Sequence, residues 1–131
     1  MQPNALALES QALARALTAL RRERDPVRSL ALLDAYDAEF PRGALRQEAA
    51  LARLDALSAA GRDGELKAQL ERLPVGVLPR SQDFRLRRAE LRASHGECQG
   101  ALADANAVLT QAQGAVRARA EAVIARCSSA P

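Results

Sequence analysis

The sequence predicts an all-α protein, an α-solenoid of about three antiparallel helical hairpins closed by a C-terminal capping helix. Three observations point there. Ala and Leu supply 50 of the 131 residues, and Ala, Glu, Lys, Leu and Arg together supply 78, the residues that lose least on entering a helix. Tyr36, Phe40 and Phe84 are the only aromatics and Val plus Ile number seven, too few for the β-branched and aromatic strands of a sandwich, barrel or parallel sheet. Finally, Pro and Gly fall at intervals that cut the chain into segments of helical length.

Each segment has its own reason. Asn4 caps a first helix reaching about Arg22, with Leu6, Leu13, Leu17 and Leu20 on one stripe. Asp25-Pro26 restarts the chain, Asp as N-cap and Pro at the first helical position. The second helix carries Leu30, Leu33 and Tyr36 to Phe40, where Pro41 and Gly43 stop it. Ala44 to Ala60 is the third, and Gly61 its terminator. Asp63 caps a short fourth over Gly64 to Leu73, and Val75 to Pro79 is an apolar connector over the core. Ser81 caps the fifth, Gln82 to His95, ended by Gly96; the sixth spans about Glu97 to Thr110 and the seventh Gly114 or Ala115 to Cys127. Short loops between seven helices imply antiparallel neighbours. In the third helix Leu51, Leu54 and Leu57 with Ala50 oppose Ala49, Ala52, Ala56 and Ala59. Phe84 and Leu91 oppose Leu86, Ala89 and Ala93 in the fifth. Helices apolar on two sides are sandwiched between others.

The turns at Arg24-Asp25, Gly61-Arg62 and Gly96-Glu97 are 37 and 35 residues apart. A helix-turn-helix unit of this period resembles the tetratricopeptide repeat, whose length is about 34 residues. In the third unit Gly100-Ala101-Leu102, Ala105 and Val108-Leu109 fall where that family has its Glu-Ala-aliphatic triplet, its packing residue and its small-plus-Leu pair. The second unit keeps Gly61, Glu65, Leu70 and Leu73, and the first keeps its second helix and Pro41. The pattern departs at the early Trp and the two Tyr positions, at Arg88 and Arg92, and at Lys67. Arg28 to Asp34, Phe40-Pro41 and Gly43-Ala44-Leu45 also resemble repeat regions of bacterial envelope-regulatory proteins, some of them extracytoplasmic parts of anti-sigma-type proteins. The resemblance implies a single repeat domain over residues 1–131 that binds another protein or peptide. The abrupt helical start and the Ser128-Ser129-Ala130-Pro131 end fit a domain excised from a longer protein.

Charge narrows the partner. Nineteen basic and 16 acidic residues leave a net charge of +3, and without Lys clusters or stacking aromatics nucleic acid is not expected. Eighteen of the basic residues are Arg, a usage that suggests a GC-rich bacterial genome. No apolar run approaches the roughly 20 residues needed to span a bilayer, and no signal peptide is evident. Aligning Gly61 with Gly96 superposes Glu48 on Asp83 and Asp55 on Glu90. In the repeat family these positions face the concave groove, so they are the candidate partner-binding stripe, suited to a Lys- or Arg-bearing or amine-terminated peptide. The alternative for them is a solvated face with local ion pairs. Arg85, Arg88 and Arg92 form a candidate basic patch at i, i+3 and i+7, with pairing to neighbouring carboxylates as its alternative.

If the sixth and seventh helices pair antiparallel about Gln111 to Gln113, Cys98 faces Cys127. Closing that loop would stabilise by about 3 kcal/mol and place the domain in an oxidising compartment such as the periplasm; otherwise they are two thiols filling space, in a domain that could equally be cytoplasmic. No CxxC or Cys/His cluster suggests zinc, and no cofactor is expected. His95, the single histidine, suits a helix C-terminus. Carboxylate pairs such as Asp34/Asp37 lack a nucleophile, metal-binding His or phosphate loop, so no enzymatic role is expected. The competing role is a structural or self-assembly module using exposed solenoid ends, with a small-ligand or enzymatic domain a distant third.

Overall fold

The computed structural model describes residues 4–128; the rest of the C-terminal tail, Ser129-Ala130-Pro131, lies outside them. Among the described residues are seven α-helices, α1 (Ala5–Arg21), α2 (Pro26–Glu39), α3 (Arg46–Ala59), α4 (Asp63–Arg72), α5 (Ser81–Ser94), α6 (Cys98–Leu109) and α7 (Gly114–Ser128), plus a 3-10 turn at Val75–Val77 and no strand. No described helix is long and apolar enough to cross a membrane. The chain divides into two compact units, Met1–Leu66 and Lys67–Pro131, the division falling inside α4.

In the first unit α2 packs on α1 and α3, and α1 also touches α3. Its core combines Leu13, Leu30, Leu33, Tyr36, Leu54 and Leu57 with Ala12, Ala16, Ala19, Ala49, Ala52 and Ala56, all buried. Two of the expected caps are in place, while Asp63, expected to cap α4, is instead its first helical residue. Asn4 Oδ1 accepts from the Ala7 N–H at 2.7 Å and Asp25 Oδ1 from the Arg28 N–H at 3.0 Å, with Pro26 opening α2. Each cap satisfies one of the N–H groups that a helix start leaves without an intrahelical acceptor. Ser29, fully buried on α2, donates its hydroxyl to the Ala16 carbonyl at 2.8 Å. The third helix begins two residues later than the sequence predicts, at Arg46 instead of Ala44. The reason is a side chain from α1: the N–H groups of Ala44 and Leu45 donate to the Glu9 carboxylate at 3.2 and 2.7 Å. Gly61 ends the turn after α3 with φ +69°, the left-handed conformation that its missing Cβ makes cheap.

In the second unit α6 packs on α5 and α7, and α5 touches α7. The shared core is small-residue: Ala89, Ala93, Ala101, Ala105, Ala112 and Ala120 with Leu86, Val108, Val123 and Cys127. A buried alanine methyl removes little apolar area, worth about 0.8 kcal/mol against roughly 1.5–3 for a buried leucine. Close backbone approach is what this core gains instead. The connector packs on α5 as expected through buried Val75 and Leu78, but Val77 at its apex is 81% exposed. Ser81 is the first helical residue and not the cap. Arg80 takes that position in the left-handed region (φ +56°), its carbonyl accepting from the Phe84 N–H at 3.1 Å and its guanidinium lying 4.7 Å from the Phe84 ring centroid. Both faces predicted for α3 and α5 are used, since Leu54, Leu57, Ala52 and Ala56 are buried on one and Phe84, Leu91, Leu86 and Ala89 on the other.

Candidate functional site

The predicted acidic stripe falls in two parts. Glu48 and Asp55 share one face of α3 in the first unit, two turns apart, with Glu48 exposed in the first helical turn. A carboxylate there complements the positive end of the helix dipole while still facing solvent. On the neighbouring α2, Asp34 and Asp37 are both held by a single Arg53, at 2.9 and 2.8 Å. One guanidinium serving two largely exposed carboxylates leaves that pair with negative charge to spare.

Asp83 and Glu90 share a face of α5 in the second unit. Asp83 is exposed, whereas Glu90 is engaged by a two-pronged pair from α7: Arg119 Nε and Nη2 donate at 3.0 and 2.6 Å. Arg87 stands 3.9 Å from the same carboxylate. The Glu90 hydrogen bonds hold the Arg119 guanidinium above its ordinary range, against its partial burial. Glu90 therefore works first as the tie between α5 and α7. A shallow hollow of about 250 Å³ opens beside it, lined by Glu90, Ala93, Arg119, Ala122, Val123 and Arg126.

The basic stripe is likewise drawn inward. Arg88 grips Asp104 of α6 with two parallel bonds of 2.8 Å and reaches the Leu70 carbonyl at 3.4 Å. Arg92 bonds the same Asp104 at 2.9 Å and Glu71 of α4 at 3.0 and 2.6 Å. Lys67 continues the chain of charges, 2.7 Å from Glu97 and 3.5 Å from Glu71. These three cations and three carboxylates balance, which accounts for the largely covered Arg88 and Arg92 side chains on α5. Arg92's hydrogen bonds hold the Glu71 carboxyl down to about 2, and Glu97 raises Lys67. Arg85 lies apart from the other two, its guanidinium against the Gly76 backbone where a side chain would collide with it.

Two buried carboxylates escape a reading by pattern alone. Asp104 is 5% exposed at the centre of the Arg88–Arg92 network. Glu9 is 4% exposed on the apolar face of α1 and accepts from the Tyr36 hydroxyl as well as from Ala44 and Leu45. That hydroxyl, ahead of the backbone donors, keeps Glu9 ionised below its ordinary range, while burial and then the carboxylate push the phenol upward. Gly43 is required beside them because a Cβ there would overlap Glu9 and Tyr36. The signal was a glutamate within a stripe of Ala and Leu, four residues before Leu13. His95 caps α5 as expected, its Nδ1 donating to the Leu91 carbonyl at 2.8 Å. No group of three or more His, Cys, Asp or Glu among the described residues is arranged to hold a metal.

Cys98, the first residue of α6, and Cys127, near the end of α7, stand at disulfide distance with Cα atoms 5.3 Å apart. The antiparallel register of the two helices brings them there. Comparison with protein-family models, curated proteins and solved structures finds no match to this chain.

Proposed function

We propose that this chain is a non-enzymatic, tetratricopeptide-like helical-repeat domain that binds another protein or peptide, in a bacterial envelope or regulatory setting. The observation that carries the reading is the contrast in how the two candidate faces spend their charge. The Arg88, Arg92 and Glu90 side chains are consumed by internal pairs, whereas α3 presents Glu48 outward and Asp34 and Asp37 of α2 share one guanidinium. The first unit holds ten acidic and nine basic residues and the second six and ten, so the outward acidic face belongs to the acidic unit. A preformed helical face of this kind captures a basic segment without ordering cost of its own and speeds its approach electrostatically. The pairing of Cys98 with Cys127 supports an extracytoplasmic location.

The test is binding of Lys- and Arg-rich peptides followed by fluorescence anisotropy. Glu48→Lys should weaken capture at least tenfold, with the loss steeper at low salt and the far-ultraviolet circular dichroism unchanged. Capture that is indifferent to Glu48→Lys and to salt would remove the reading. Exposed Leu6, Leu8 and Val27 in the first unit favour a second one, self-assembly. Light scattering that rises with concentration would select it, and a strict monomer would discard it.

A further inference from the structure

The seventh helix packs on α6 and α5 through a narrow strip of mostly small side chains and is closed at its far end by Cys127. Gly114, at φ +62°, opens it after a short turn in which Ala112 is buried, and Cys127 closes it. Between these ends α7 buries only Ala120 and Val123, with Val116 and Ile124 half-covered. The Arg119–Glu90 pair adds a tie at a half-exposed guanidinium, and such pairs contribute little in water. Alanine offers a small apolar area per residue, so the seat of α7 on α5 and α6 is shallow. Cys127 in turn lies 7% exposed against the core, while Cys98 is half-buried and borders an open hollow lined by Arg92, Gly96, Glu97, Gln99 and Gly100. Of the pair, Cys98 is the more exposed residue and the one that borders a hollow.

We propose that the Cys98–Cys127 bridge is a redox latch on α7, opened from the Cys98 side, with Gly114 as the hinge. A thiolate enters the hollow and attacks the Cys98 sulfur. A new sulfur–sulfur bond forms to Cys98, the Cys98–Cys127 bond breaks, and Cys127 leaves as a thiolate that takes a proton from water. The second thiol of a dithiol reductant then attacks the mixed disulfide, freeing Cys98 and leaving the reductant oxidised. The leaving thiolate emerges at the C-terminal, electronegative end of α7, where the helix dipole disfavours it, so opening is slow without a strong dithiol. Once it opens, α7 swings about Gly114 and uncovers Ala101, Ala105 and Val108 of α6.

The experiment is hydrogen exchange read by mass spectrometry on the full chain, oxidised and after dithiothreitol, with free thiols counted in each sample. Reduction should speed exchange of the Gly114–Ser128 amides by about a hundredfold, the loop-closure advantage of a bridge of this span, and leave α1–α3 unchanged. Cys127→Ser should exchange as fast without reductant, which separates the latch from reagent effects. Prolonged exposure to reduced glutathione, quenched with a thiol-blocking reagent and followed by peptide mapping, should place the adduct on Cys98. Two free thiols in the unreduced chain would overturn the latch, as would unchanged α7 protection after reduction. Loss of protection throughout α1–α3 in Cys127→Ser would show a bridge that holds the whole fold and no local latch. An adduct on Cys127 would overturn the route of entry.

Discussion

Removing the hydroxyl of Tyr36 would leave the buried Glu9 carboxylate with only the Ala44 and Leu45 N–H groups as donors. Because an under-satisfied buried acceptor costs more than a hydrogen bond contributes, Tyr36→Phe should destabilise the first unit by about 1–2 kcal/mol. Urea titration should find that loss at unchanged slope; a midpoint that does not move would mean the carboxylate is solvated. Acid acts on the same kind of contact. Glu71 sits at about 2 through its bonds to Arg92 and Glu9 is likewise depressed, so folding binds fewer protons than unfolding. The Glu71 contribution is complete above the ordinary value of 4.5 and disappears as pH falls toward about 2, and Glu9 adds to it in the same direction. Thermal unfolding followed from about pH 6 to about pH 2 should keep its midpoint down to roughly 4.5 and lose it steadily below. A midpoint that is flat through the acid range would contradict the Arg92–Glu71 geometry.

At the scale of the element, the sequence made most helix boundaries legible because the signals are local. Asp25-Pro26, Gly61 and Gly96 act on the residues beside them, and each boundary lies where its chemistry demands. What escaped was non-local. The start of α3 is decided by Glu9, 35 residues upstream of Ala44, and no window around Ala44 contains it. Spacing puts Glu48 with Asp55 and Asp83 with Glu90, yet it could not say which charges turn inward, nor that Arg85 lies apart from Arg88 and Arg92. Asp104 decides that for α5, since it draws Arg88 and Arg92 toward α6. Asp104→Ala should therefore cost about 3 kcal/mol, because two partly buried guanidinium groups lose their shared acceptor. Asp104→Asn, which keeps the shape and some of the hydrogen bonding, should cost less. Equal losses, measured by chemical denaturation, would show that shape and not charge matters at this position.

For the molecule as a whole, each unit buries six alanines among larger side chains, and two regions stand at opposite ends of that mixture. On α2 the buried apolar side chains are the large Leu30, Leu33 and Tyr36; the α5–α7 cluster buries mostly Ala. Opposite substitutions should therefore harm them. In the first unit the sensitive change is loss of volume: Leu33, 1% exposed, becomes a cavity on truncation, and Leu33→Ala should cost about 3 kcal/mol. In the α5–α7 cluster most buried side chains have little volume to lose, and the sensitive change is gain. Ala105 is fully buried between close helices, so Ala105→Leu must push α6 away from a neighbour and should cost about 1–3 kcal/mol. Exposed Ala103, on the far side of the same helix, supplies the control. Ala103→Leu should change stability by less than about 0.5 kcal/mol. Hydrogen exchange assigns each loss to its unit: Leu33→Ala should deprotect α1–α3 and Ala105→Leu should deprotect α5–α7. If Ala105→Leu proved as harmless as Ala103→Leu, the interior of the second unit would have room to spare, and close packing of alanine faces would not be what holds α5, α6 and α7 together.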